Sequence, residues 1–217
     1  MPDQTSGQGE IRAFYSKEFT RHYKKIFRPL SRALMKMGVT PNSVTFGSFV
    51  LAAIAGYFLA TDHLWLGLAF GLAMGFADTV DGQLAKESGQ TSTFGAVLDS
   101  TIDRYNEFLV FLAFGIRYFL LGRPYWIIGC ALAFFGSLMI SYVKSRAEAE
   151  GFECKVGRLQ RPERLTIMGF GALFLSTGVD VMIVFLAIGT QFTALYRLWH
   201  VYRQSLKTPV GESGESA

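Results

Sequence analysis

Residues 78–103 read DTVDGQLAKESGQTSTFGAVLDSTID, and the fold turns on how the acids in this stretch are housed. Apolar residues from Leu64 to Ala77 run directly into Asp78 and Asp81, and a second apolar run from Phe108 to Leu121 closely follows Asp99 and Asp103. If both runs are helical, Asp78 and Asp81 stand at i, i+3 and Asp99 and Asp103 at i, i+4, so each pair projects from one helix face. The two faces meet across a polar loop of ten residues, Ala85 to Phe94. Carboxylates at the edge of apolar segments are costly to desolvate. A divalent cation removes that difficulty, and an all-oxygen donor set favours magnesium, manganese or calcium over zinc.

Working outward, half of the 217 residues are apolar and the mean hydropathy is +0.28, too hydrophobic for an ordinary soluble domain. Six apolar runs, near 42–60, 64–84, 95–121, 124–146, 165–179 and 181–202, approach the length of about 20 residues that a bilayer-spanning helix needs. The expected fold is therefore an all-α integral membrane protein with six transmembrane helices. The fifth run is the weakest, short and rich in glycine. The polar, basic start of the sequence lacks an early apolar segment, so no cleavable signal is expected.

Charge sets the expected orientation. Of the 21 Lys and Arg residues, eight precede Pro41 and six lie from Lys144 to Arg164, whereas the turns at 61–63 and 178–180 carry none. Lys86 falls in the Asp-bearing loop, and Arg203 and Lys207 near the end. By the positive-inside rule both termini and the two longer loops face the cytoplasm, with Arg117 and Arg123 as exceptions near a short outer turn. The protein is expected in the cell membrane with the acids at its cytoplasmic face. The net charge of +4 then reflects orientation and anionic lipid; no nucleic-acid module is evident.

Residues 1–9 and 206–217 are polar and are expected to be disordered tails. Between 10 and 37, Phe14, Phe19, Tyr23, Ile26, Phe27, Leu30, Leu34 and Met37 recur at helical spacing among basic residues. This reads as an amphipathic helix in the membrane interface, or as a helix packed on the protein itself. Gly38 ends it, and Thr40, Pro41 and Asn42 supply a turn and N-cap for the first span. Residues 38–205 are expected to form one six-helix transmembrane domain that carries the acids. Gly47, Ser48, Ala52, Ala55 and Gly56, then Gly67, Gly71 and Gly75, permit close helix contact.

The loop hydroxyls, its backbone amides and Lys86 suit a phosphate, and Gly82 and Gly95 let a ligand approach the backbone. Farther on, Arg104 directly follows Asp103 and Glu107 stands four residues after it, so part of this charge could pair internally. Arg158, Arg161 and Arg164 read as an orientation signal. Cys130 and Cys154 do not suggest a disulfide, and His22, His63 and His200 form no metal set.

The acid-rich stretch matches D-x2-D-G-x2-A-R-x8-G-x3-D-x3-D at Asp78, Asp81, Gly82, Ala85, Lys86, Gly95, Asp99 and Asp103, with every spacing kept. This resembles the CDP-alcohol phosphotransferase family, and the similarity covers most of residues 20–205. Lys86 departs from the family's arginine, keeping the charge but losing the planar fork. The resemblance implies six transmembrane helices, an interfacial N-terminal helix and a homodimer, with cytidine monophosphate displaced from a CDP-linked lipid by an alcohol using magnesium or manganese. It implies Asp78, Asp81, Asp99 and Asp103 around metal, with Asp103 also the general base. Asn42, Ser43, Val44, Thr45, Gly82, Lys86 and Ser92 would surround the CDP moiety of a CDP-diacylglycerol-type lipid.

The segments SYVKSRAEAEG and RPERL resemble the branch whose acceptor is a phosphorylated inositol. By that likeness Ser141, Lys144, Arg164 and Arg197 would hold the acceptor phosphate, a sensible set for a dianion. Glycerol 3-phosphate would need the same kind of pocket, so a phosphatidylglycerol phosphate synthase is the alternative. A cation transporter using intramembrane Asp is a third reading; against it, the acids gather at one face with no matching set elsewhere.

Overall fold

The computed structural model describes residues 33–206. The expected tail at 1–9, the expected tail at 206–217 apart from Leu206, which caps the last helix, and most of the amphipathic helix at 10–37 lie outside the described residues. A short helical stretch at 33–36 ends at Gly38, whose φ of +73° is the left-handed conformation that glycine adopts without steric cost.

Six helices follow: α1 Pro41–Ala60, α2 Leu64–Glu87, α3 Thr93–Leu120, α4 Trp126–Ala149, α5 Arg161–Leu173 and α6 Leu175–Ser205. Their starts obey local chemistry. Thr40 caps α1 by accepting from the Ser43 N–H at 3.3 Å, with Pro41 in the first turn where its missing N–H costs nothing. Ser92 caps α3 by accepting from the Gly95 N–H at 2.9 Å. Before α5, the Glu163 carboxylate accepts from the Gln160 N–H at 3.0 Å.

Two boundaries differ from expectation. The ten-residue loop shrinks to Ser88–Ser92, because α2 runs on to Glu87 with Leu84 fully buried, and Gly89 at φ +68° then turns the chain. Lys86 therefore lies in the last turn of a helix, not in a loop. The turn expected at 178–180 is also helical; the break falls at Phe174–Leu175 instead. Gly178 serves contact there rather than turning: a Cβ on it would lie 2.4 Å from the Gly171 carbonyl oxygen.

Packing runs from α2 through α1, α3, α4, α6 and α5 and returns to α2, a closed ring of helices. Its core includes Val110, Phe111, Phe114, Tyr118, Ile183 and Leu186. Large apolar side chains such as Val50, Trp65, Leu72, Phe119 and Phe192 stand on the outside. Helices α1, α2, α4 and α6 are long and apolar enough to cross a bilayer. α3 has the length but carries Asp99, Asp103, Arg104, Glu107 and Arg117. At a rise of 1.5 Å per residue, α5 reaches only about 20 Å.

At the end far from the acids, charge is paired internally. Arg117, fully buried, donates to Asp62 at 2.6 Å and to Ser176 at 2.8 Å. Arg123 meets Asp180 at 2.9 Å, and Tyr118 donates to the same carboxylate at 2.7 Å. These two exceptions to the charge rule thus clamp α1, α3 and α6 together at the end far from the acid trio rather than stand as free cations.

Candidate active site

The alternation of helix direction brings the start of α1, the end of α2, the start of α3, the end of α4 and the start of α5 to one end of the ring. There Asp78, Asp99 and Asp103 converge, each offering a carboxylate oxygen within 4.8 Å of the others. Asp81 is set apart from this trio: it is 4 % exposed, and the Thr45 hydroxyl donates to its Oδ2 at 2.7 Å. The fourth acid is thus oriented by α1.

Arg161, the first residue of α5, reaches into the trio. Its Nη1 donates to both Asp78 oxygens at 2.8 and 2.9 Å, and Nη2 stands 2.5 Å from Asp103 Oδ1. This second contact is one of charge, since Nη2 makes no aligned hydrogen bond. In sequence Arg161 reads as part of an orientation signal alone, and the one local hint of another role is its place beside Pro162 and close to Arg164. Glu107 likewise departs from the expected local pairing. It binds Arg164, while Arg104 turns back to donate to the Ser100 carbonyl.

The residues expected to hold an acceptor phosphate do come together. Ser141, Lys144, Arg164 and Arg197 line one polar cavity of about 330 Å³ whose wall also includes Asp103 and Arg161. Their charges are committed to different degrees. Arg164 donates Nε and Nη2 to Glu107 and Nη1 to the Leu159 carbonyl. Arg197 donates to the carbonyls of Val156 and Ile140, tying the 150–160 loop and α4 to α6. Lys144 is the least constrained, with its ammonium 3.8 Å from Glu148 on the next turn. Cys154, in the same loop, is buried and free, and burial pushes its thiol pKa up; Cys130 is also free.

The residues expected around a CDP moiety flank the acids. Asp78, Gly82 and Lys86 follow one another at i, i+4 and i+8 and so form one row on α2. Gly82 opens to free space and Lys86 is exposed. The starts of α1 and α3 meet at Gly95, where a Cβ would lie 3.0 Å from Ser92 Oγ and 3.6 Å from Asn42 Oδ1. Ser43 is exposed, its hydroxyl 2.8 Å from that of Thr40, and Val44 is half-buried. A second, apolar cavity of about 690 Å³ runs between α2 and α5, with Gly71, Gly75, Leu165 and Met168 in its walls and Asp78 and Arg161 at its polar end.

The donor set fits a hard divalent cation. Three carboxylates converge on one point with a fourth beside them, and the trio already gathers a positive charge in the Arg161 guanidinium.

The family model of CDP-alcohol phosphatidyltransferases matches residues 38–195. The phosphatidylinositol phosphate synthase of Mycolicibacterium smegmatis is 37% identical over 157 residues, covering 69% of this chain and 68% of that protein. That of Corynebacterium glutamicum is 34% identical over 183 residues, covering 80% and 82%. Among solved structures, the Mycobacterium tuberculosis phosphatidylinositol phosphate synthase with CDP-DAG bound superposes with a TM-score of 0.75 at 30% identity, covering 89% of this chain and 98% of that one. The same protein in complex with manganese and citrate gives 0.76 at 29% identity, covering 88% and 93%. With the motif, the converging acids and the ring of helices all in agreement, the chain belongs to the CDP-alcohol phosphatidyltransferase family of enzymes.

Proposed function

We propose that this protein transfers the phosphatidyl group of CDP-diacylglycerol, or an ether analogue, to inositol phosphate and releases CMP. The observation that carries this reading is the double membership of Asp103, which belongs to the acid trio and also lines the cavity of Ser141, Lys144, Arg164 and Arg197. A carboxylate so shared can reach an acceptor hydroxyl while its neighbours deal with the pyrophosphate.

Asp78, Asp81, Asp99 and Asp103 would hold magnesium or manganese, which supplies positive charge to the pyrophosphate and to the departing CMP. The acceptor oxygen attacks the lipid-side phosphorus, the bond from that phosphorus to the CMP oxygen breaks, and Asp103 takes the hydroxyl proton. Lys144 is the direct partner of the acceptor phosphate, while Arg164 and Arg197 add charge to the wall. Asn42, Ser43, Val44, Thr45, Gly82, Lys86 and Ser92 cradle the CDP end, and the apolar cavity takes an acyl chain. Holding both substrates in line provides much of the rate.

The reading extends to the surroundings. All six helices span the cell membrane, α3 with its charges turned into the ring and α5 with help from the loop before it. Both termini and the active site face the cytoplasm, an interfacial helix precedes α1, and two copies form a homodimer.

The acceptor assignment is tested by offering purified full-length protein CDP-diacylglycerol, Mn²⁺ and equal inositol phosphate and glycerol 3-phosphate, then identifying the lipid product by mass spectrometry. The inositol-phosphate lipid should dominate. A product made mainly from glycerol 3-phosphate would reject the acceptor and favour a phosphatidylglycerol phosphate synthase.

A further inference from the structure

Arg161 stands where the two cavities meet. Its side chain lines the polar one beside Lys144 and Asp103, and also the polar end of the apolar one beside Asp78. A single guanidinium therefore bridges two of the three converging carboxylates, touching both oxygens of Asp78 at 2.8 and 2.9 Å and Asp103 at 2.5 Å. The hold is uneven, because Nη2 is buried without an aligned acceptor.

We propose that Arg161 is an internal competitor for the divalent cation: it holds Asp78 and Asp103 in the cation's place, and cation binding frees its guanidinium to meet phosphate at the junction of the cavities. This rests on the metal-dependent reading above. Arginine cannot leave by deprotonation, so only displacement can free those oxygens. Carboxylate oxygens that coordinate a divalent ion would place it a few ångströms from the guanidinium, and two positive centres so close repel. The released fork is suited to two phosphate oxygens at once, which a lysine could not offer. Its position at the first residue of α5, preceding Pro162, allows the side chain to swing without unwinding the helix.

The test measures Mn²⁺ binding to full-length protein in detergent, without substrate, by electron paramagnetic resonance of the free ion. Arg161→Gln should bind Mn²⁺ about tenfold more tightly than the unaltered protein, the scale on which a neighbouring unit charge biases a carboxylate. Its turnover at saturating Mn²⁺ should nevertheless fall. Equal or weaker binding by the variant would overturn the proposal while leaving the metal site standing; no binding by the unaltered protein would overturn both. A second measurement avoids substitution altogether. Mn²⁺ should accelerate phenylglyoxal modification at Arg161 in the unaltered protein, read by peptide mass spectrometry, and an unchanged or slower rate would contradict the release.

Discussion

Glu107 and Arg164 form a two-point ion pair between α3 and α5, Nε to Oε1 at 2.6 Å and Nη2 to Oε2 at 2.9 Å, with both side chains almost wholly buried. The third bond of the guanidinium, to the Leu159 carbonyl at 2.8 Å, anchors the loop beneath the polar cavity. Arg164 is thus a structural post as well as part of the acceptor pocket proposed above.

Glu107→Ala should accordingly destabilise the protein by about 3–5 kcal/mol, because it strands a buried guanidinium. Thermal unfolding in detergent would read this as a large fall in Tm. Replacing both partners with apolar residues, Glu107→Leu with Arg164→Met, should recover most of the loss while weakening acceptor binding. A double variant as unstable as Glu107→Ala would contradict this account of the pair.

Thr45 and Asp81 supply a second prediction. A hydrogen bond to a charged group contributes about 1.5–3 kcal/mol, so Thr45→Val should weaken Mn²⁺ binding roughly tenfold or more through a misaligned Asp81. Thr45→Ser should stay near the original affinity, since it keeps the hydroxyl. Equal affinities for all three proteins would show that the bond at 2.7 Å does not orient the acid.

Asp103→Asn should retain CDP-lipid binding yet lose turnover by about a hundredfold or more, the usual scale for a general base. Lipid binding by filter assay and initial rates at saturating substrate separate the two effects. Near-normal turnover would assign the proton to another group.

Gly136 tests the contact of α4 with α6. A Cβ there would lie 2.1 Å from Thr190 Oγ1 and 3.0 Å from the Gln191 backbone nitrogen, and backbone cannot yield as a side chain can. Gly136→Ala should cost about 1–3 kcal/mol of stability, measured as a lower Tm.

What the sequence disclosed, and what it withheld, follows from range. Acids at i, i+3 and i, i+4 beside apolar runs announce their shared faces locally, and the cap at Thr40 is an equally local signal, whereas the cap at Ser92 is seen only in the structure. Arg161 meets Asp78 across 83 residues, and no periodicity encodes such a contact. Arg164, by contrast, does share a cavity with Ser141, Lys144 and Arg197, the residues the resemblance groups it with, but its commitment to Glu107 emerges only from packing. The helix break at Phe174 was obscured because Gly178 resembles a turn former while acting as a contact surface. Lys86 reads as a loop residue for a similar reason, since polar residues at the end of a helix look like a loop until the burial of Leu84 is known.

The most direct measurement is CMP release from CDP-diacylglycerol by the purified protein, with Mg²⁺ or Mn²⁺ and inositol phosphate each supplied or withheld. Release should require the cation and the acceptor together, and should vanish in Asp78→Asn. Release that persists without the cation, release without an acceptor, or none under any combination would contradict the account.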